Sequence, residues 1–313
     1  CNPPDGVIVS ANNQLVDKSY PYYLSTLWEP WSRYDRIKEL LSLEKISTED
    51  FQQFQQDVVS YYSRDLAQEI LGAFSRDSTV EADVNIALVY LKNWNNRCTP
   101  TDIASTIVNT FFVKLIHNTY EDEMGPEVFR DFVYSLLVPY RVTQRLLQKE
   151  NSPWFDDIRT DTIETKQMII RKSLIDAVHE LRDKLGSETK TWQWGKVHQV
   201  IFEHPLGRRK PLDKVFNVGP YPIGGSEQTI NKGAFKLTDP FQLFAAPSMR
   251  QIVDLADPKH AYRILSLGQS GQPMYKHYDD QVSLWLNGGY RQTTIDWKEI
   301  YEQNWEHLVL KSK

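Results

Sequence analysis

The chain has 313 residues, 41% of them hydrophobic and 25% charged, with a formal net charge of -5 and a pI of about 5.9. This is a globular composition with enough apolar residues for a large core, and it lacks the basic footprint of a nucleic-acid binder. No run approaches the ~18 apolar residues that a membrane span needs, and the two cysteines, Cys1 and Cys98, have no metal-ligand spacing and could form at most one bridge.

The chain opens on Cys1-Asn2-Pro3-Pro4-Asp5-Gly6 without an initiator Met or a signal-peptide pattern, and reads as the interior of something longer. The run Gly6-Val7-Ile8-Val9-Ser10-Ala11-Asn12-Asn13 predicts a short buried strand ending in a polar turn. From Ser32 to about Gly186 helical periodicity dominates. Ile37, Leu40, Leu41 and Leu43 form one apolar face, and Ser47 or Thr48 caps a helix with acids in its first turn. Val58, Tyr61, Tyr62, Leu66 and Ile70 form the next stripe, stopped near Gly72, and Val84 to Leu91 another. Thr101 or Asp102 can cap a helix through Val113 and Ile116. Glu127 to Leu137 predicts a further helix, and Thr162 to Leu185 a long one closed by Gly186.

From Trp192 the pattern changes. Trp192 to Phe202 predicts a strand that places His198 and His204 on one face; two histidines without a third ligand are weak evidence for zinc. Glycines and prolines then punctuate short segments. Met249 to Leu255 and Tyr262 to Leu267 predict core strands, His277 to Leu286 and Trp297 to Leu308 closing helices. The expected layout is one α+β domain: a core strand and loop over 1–31, a mainly helical stretch over 32–186, and a β-rich part with closing helices over 187–313. Gly268-Gln269-Ser270-Gly271 lacks the spacing of a nucleophile elbow, and Gly224-Gly225-Ser226 is too short to cradle phosphate.

Taken together, the blocks are more specific. Asn2-Pro3-Pro4-x-Gly6-x-Ile8-x-x-Ala11-Asn12-Asn13, then Tyr20-Pro21, Trp28-Glu29-Pro30 and Arg33-x-x-Arg36-Ile37 begin an ordered series. Gln56-Asp57-Val58-x-Ser60, Trp154-Phe155-Asp156-Asp157 and Trp192-x-Trp194-Gly195-x-x-His198 continue it. Gly224-Gly225-x-x-x-Thr229-x-Asn231, Ala246 to Arg250, Gly268 to Gly271 and His277-Tyr278-x-Asp280-Gln281 close it. In this order the blocks resemble the penicillin acylase (penicillin amidase) family of N-terminal-nucleophile hydrolases, in the C-terminal part of the large chain.

The resemblance implies the αββα sandwich of that family, here with a large helical insertion. It implies a precursor that cuts itself to expose a serine, whose hydroxyl attacks an amide while its own α-amine serves as base. That serine would lie on a segment outside this chain. The partners implied are the small chain and the N-terminal part of the large chain, together with a small N-acyl substrate; neither nucleic acid nor membrane is expected. A periplasmic or secreted location also follows from the resemblance.

Among site residues, the resemblance implies Asn12 as an oxyanion donor, which suits a neutral side-chain amide. It implies Arg33 as the arginine that orients the nucleophile and this asparagine; from the residues alone Arg33 could equally pair with Glu29 or Asp35. Asn13 and Asn231 are weaker candidates for supporting contacts. No cofactor is required for the chemistry. The best-known members hold a structural calcium with one carboxylate from the segment after the Tyr-Pro pair, but here Tyr22-Tyr23-Leu24 carries no acid, so such a site is open and weakly supported.

Two other readings stand beside this one. Cys1 could be an amino-terminal nucleophile, although extended chain at about 3.3 Å per residue places it tens of ångströms from Asn12 unless the chain folds back. A non-catalytic binding protein on the same scaffold would use some of the 9 Trp and 16 Tyr as contact surface. The residue at an upstream processing site separates enzyme from binder.

Overall fold

The computed structural model describes residues 2–17, 19–75, 81–135, 137–303 and 309–311. In chain order the helices are α1 (Ser32–Leu40), α2 (Thr48–Phe54), α3 (Tyr61–Ala73), α4 (Ala82–Lys92), α5 (Ala104–Tyr134), α6 (Leu137–Leu147), α7 (Lys166–Leu185), α8 (Trp194–Val197), α9 (Asp213–Phe216), α10 (Val282–Leu286) and α11 (Trp297–Glu302). The strands are β1 (Gln199–Phe202), β2 (Val218–Pro222), β3 (Ala234–Lys236), β4 (Asp239–Ala245), β5 (Met249–Val253), β6 (His260–Leu265) and β7 (Arg291–Thr294). Helices thus dominate the first part of the chain and strands the second, with α9, α10 and α11 set among and after the strands, an α+β arrangement. Among the described residues no helix is long and apolar enough to cross a membrane.

Two compact units organise these elements. The first comprises Cys1–Leu43, Asp57–Glu203 and Asn217–Ala246, the second Glu44–Gln56, His204–Phe216 and Pro247–Lys313.

In the first unit local signals set the helix ends. Ser60 Oγ accepts from Ser63 N at the start of α3, and Asp102 Oδ1 accepts from Ser105 N at 2.6 Å at the start of α5. Thr165 Oγ1 accepts from Met168 N to open α7, which stops where Gly186 takes φ 92. The two helices expected through Ile116 and from Glu127 follow one another end to end within Ala104–Tyr134, parted by a non-helical residue. Gly125 sits there at φ 67, ψ 167 beside Pro126, whose missing N–H breaks the ladder.

The core of this unit gathers Ile107, Phe111 and Leu115 of α5 with Leu174, Val178 and Leu181 of α7. Each such side chain, fully buried, contributes about 1.5–3 kcal/mol. The Phe112 and Tyr140 rings lie 4.4 Å apart, and the Tyr62 hydroxyl donates to Tyr140 O at 2.8 Å, tying α3, α5 and α6 together. β1 pairs antiparallel with β2, and β3 with β4.

In the second unit, Ser47 and Asp50 form a reciprocal capping box that opens α2. β5, β6 and β7 form an antiparallel meander. Arg250, buried on β5, donates to Trp285 O of α10 at 3.0 Å with its guanidinium over the indole.

Several expectations are corrected. Residues 7–10 form no strand, and Ile8 is 85% exposed. A strand exists only through pairing, and among the described residues no backbone ladder includes this segment. Of Trp192 to Phe202 only β1 is strand. Trp194 N donates to Asp102 O and Gly195 N to Pro100 O, so tertiary partners draw the backbone into the short turn of α8 despite its β propensity. His198 and His204 therefore flank β1 instead of sharing one of its faces. The helix expected from His277 is confined to α10. Gly268 N donates to Tyr278 O and Ser270 N to His277 O, which removes those carbonyls from any helical ladder. The helix from Trp297 ends at Glu302, and part of the remaining stretch to Leu308 lies outside the described residues.

Candidate active site

The turn Ala11-Asn12-Asn13 lies in the first unit. Asn12 has φ 59, a left-handed conformation that asparagine adopts more readily than most residues. Asn13 is buried and its Oδ1 accepts from Ala11 N at 3.1 Å, bracing the turn from within. The Asn12 carbonyl accepts from Glu29 N at 2.9 Å. Its exposed side chain accepts at Oδ1 from Arg33 Nη2 at 2.7 Å. A guanidinium only donates, so the atom it meets is the amide oxygen. The Nδ2 hydrogens of Asn12 therefore face away from Arg33, and among the described residues no group accepts from them.

Arg33 comes from the first turn of α1. Its Nη2 donates to Asn12 Oδ1 and to Ala11 O at 2.8 Å, and lies 2.9 Å from Glu29 Oε2 in an ion pair. The ion pair with Glu29 and the contact with Asn12 thus belong to one guanidinium. Glu29 is buried. Gln228 Nε2 donates to its Oε2 at 3.3 Å, and Lys232 Nζ lies 3.3 Å from its Oε1. Ser32 Oγ donates to Gln228 Oε1 at 2.9 Å. Lys232 also meets the buried Glu227 at 2.5 Å, and burial raises the Glu227 carboxyl above its ordinary pKa against the opposing pull of Lys232. Two cations and two anions thus neutralise one another behind Asn12, as buried charge requires.

The next layer joins blocks far apart in sequence. Arg36 grips Asp57 through Nε at 3.2 Å and Nη2 at 2.7 Å, and the Asp57 carbonyl accepts from Asn231 N at 2.9 Å. The Thr229 hydroxyl donates to Asn231 O at 2.8 Å. Gly225, at φ 85, passes so close that a Cβ there would lie 2.3 Å from that same carbonyl, which is why the block needs glycine.

The structure thus brings Asn12 and Arg33 into contact and places Asn13 inside the same turn. Asn231 contributes its backbone to the loop, while its neighbour Lys232 reaches the site. Lys232, Glu227 and Gln228 are additions that sequence reasoning missed. The signal was faint: they fall between the glycine pair and Asn231, or just beyond, inside a block read for its glycines.

Other candidates are placed elsewhere. His198 is buried, donates from Nδ1 to Phe241 O at 2.6 Å and stacks on Trp194 at 4.5 Å. Burial pushes its pKa down to about 4, so it is a neutral core histidine. Cys98 is a free, buried thiol pushed up to about 12 by the same cause, unsuited to nucleophilic work. Cys1 lies outside the described residues. Among the described residues no group of three or more His, Cys, Asp or Glu could hold a metal ion, and Tyr22, Tyr23 and Leu24 are exposed without a carboxylate among them. These residues do not fit a calcium ligand set.

A sequence model described as penicillin amidase matches residues 1–302. Acyl-homoserine lactone acylase QuiP of Pseudomonas aeruginosa is 29% identical across 92% of this chain and 37% of its own length. Penicillin acylase 2 proenzyme of a Pseudomonas species is 23% identical across 96% of this chain and 38% of its own length. Thermostable penicillin G acylase from Alcaligenes faecalis superimposes with a TM-score of 0.59 at 16% identity, over 100% of this chain and 58% of that one. The chain therefore spans somewhat more than a third of the curated relatives it matches.

Proposed function

Because this chain belongs to the penicillin amidase family, we propose that it is part of an N-acyl amide hydrolase, supplying the oxyanion donor to a serine carried on another segment. The observation that carries this reading is the Asn12 amide, whose oxygen is held by Arg33 while its donor hydrogens stay exposed. A pre-aimed neutral donor stabilises charge that develops on a carbonyl oxygen without itself titrating.

The serine hydroxyl attacks the amide carbonyl carbon and passes its proton, through water, to its own α-amine. Asn12 Nδ2 donates to the resulting oxyanion. Collapse expels the amine with a proton, leaving an acyl ester, and water releases the acid. Arg33 keeps the Asn12 oxygen turned away throughout. The substrate class favoured is an acyl-homoserine lactone, after the acyl-homoserine lactone acylases among its relatives; penicillins and related β-lactam amides are the runner-up. The reading includes a self-processing precursor, a two-chain mature enzyme with the small chain and the first part of the large chain as partners, and a periplasmic or secreted location.

The test is Asn12→Ala in the processed enzyme made from the complete reading frame. Turnover of an N-acyl-homoserine lactone should fall by about 10²–10³ with the melting temperature retained. Near-normal turnover would remove Asn12 from the chemistry.

A further inference from the structure

We propose that Glu29 is a positioning residue, clamped by Lys232 and Gln228 so that it orients the Arg33 guanidinium and, through it, the Asn12 amide. The inference rests on the reading of Asn12 as oxyanion donor and extends it one layer inward.

Four observations carry it. First, Glu29 holds Asn12 twice: its backbone N–H donates to the Asn12 carbonyl, and its carboxylate pairs with the arginine that holds the Asn12 side chain. Second, Arg33 is gripped through a single nitrogen. Its Nη2 donates to Asn12 Oδ1 and Ala11 O and forms the ion pair with Glu29 Oε2, whereas its buried Nε has no partner among the described residues. Of these three partners only Glu29 is charged, so it is the anchor that sets the direction of the group. Third, a second carboxylate competes in the same cluster: the buried Glu227 pairs with the same Lys232 as Glu29 and keeps one oxygen, Oε2, unpartnered. Without the Glu29 charge the guanidinium loses its charged anchor, releasing Asn12. Fourth, Glu29 is not needed to neutralise Lys232, which already meets Glu227 at 2.5 Å. The bond from Lys232 to Glu29 therefore serves to fix the carboxylate, and Gln228, itself held by Ser32, fixes it from another side.

The local sequence prepares this geometry. Pro30 confines Glu29 to extended backbone, and α1 begins two residues later, which sets Arg33 four residues beyond its partner.

The experiment is a double-mutant cycle in the processed enzyme, reading kcat and KM for an N-acyl-homoserine lactone and the melting temperature of each variant. Glu29→Gln keeps shape and removes charge. It should lower kcat about tenfold, with KM changed less than about twofold. In an Asn12→Ala background the same substitution should cost nothing further, because the group it positions is gone. Lys232→Met should lower kcat in the same direction by less, and carries the same cycle if Glu29→Gln does not fold. A purely structural role would lower the melting temperature and multiply through both backgrounds. An unchanged or raised kcat in Glu29→Gln, or a loss that multiplies through in Asn12→Ala, overturns the positioning role while leaving Asn12 as donor. Near-normal turnover of Asn12→Ala alone overturns both.

Discussion

Asn12 gives its carbonyl to Glu29 and its side-chain oxygen to Arg33, so what remains for chemistry is the amide nitrogen. The same logic of committed and uncommitted atoms separates the other candidate side chains. His198 spends Nδ1 on Phe241 and lies sealed against Trp194. Cys98 has no solvent exposure, and burial holds its thiol protonated well beyond neutral pH. Cys98 should therefore resist an aromatic disulfide reagent at pH 8 in the native protein and react only on unfolding, as peptide mapping of the labelled site would reveal. Rapid native labelling at Cys98 would contradict its placement in the core. The family blocks made Asn12 and Arg33 legible from sequence, whereas Lys232 was not, because the ion pair that gives it meaning spans 203 positions.

At the scale of elements, the helices were the most legible parts of the chain. Ser47, Ser60 and Thr165 each bond backbone within three residues of themselves, so the information lies in the local sequence. The link between β6 and α11 adds a titratable contact. His260 Nδ1 meets Asp257 at 2.6 Å and Nε2 meets Glu299 at 2.9 Å, with the Lys259–Asp296 pair beside them. Glu299 and then Asp257 raise the His260 pKa above 6.5. A raised folded-state pKa contributes stability that is fully present below the unfolded value and is lost as pH rises through the folded value. The melting temperature of the wild type should accordingly exceed that of His260→Gln at about pH 6, and the gap should close as pH rises through the raised folded-state value. A gap that stays constant or widens with pH would rule out the ionic contact.

At the scale of the molecule, the described chain leaves unusual apolar surface near the candidate site's own segment. Ile8, Leu15, Tyr22, Tyr23 and Leu27 are each more than half exposed. Such surface marks a place where something else packs, and in our reading that is the remainder of the same precursor, including the strand that 7–10 would pair with. Purified 1–313 should hydrolyse no chromogenic acyl amide, and production together with the upstream segment should restore turnover. Activity in the isolated chain would place the nucleophile within it.

The helical periodicities, the caps, the ordered blocks and the Asn12–Arg33 pairing could all be read along the chain. They depend on neighbours three or four positions away, or on residue order that survives without coordinates. What required the folded chain was the fate of the apolar segments and the buried charges. Val7 to Ser10 has strand-forming residues and no strand, because pairing needs a partner; Trp194 and Gly195 turn because Asp102 O and Pro100 O accept from their backbone N–H groups. Glu29, Arg33, Glu227 and Lys232 look in sequence like any solvated charges. Only packing buries the two carboxylates, with Arg33 and Lys232 half-buried against them, and once withdrawn from water the carboxylates must be neutralised, which places Arg33 on the Asn12 side chain.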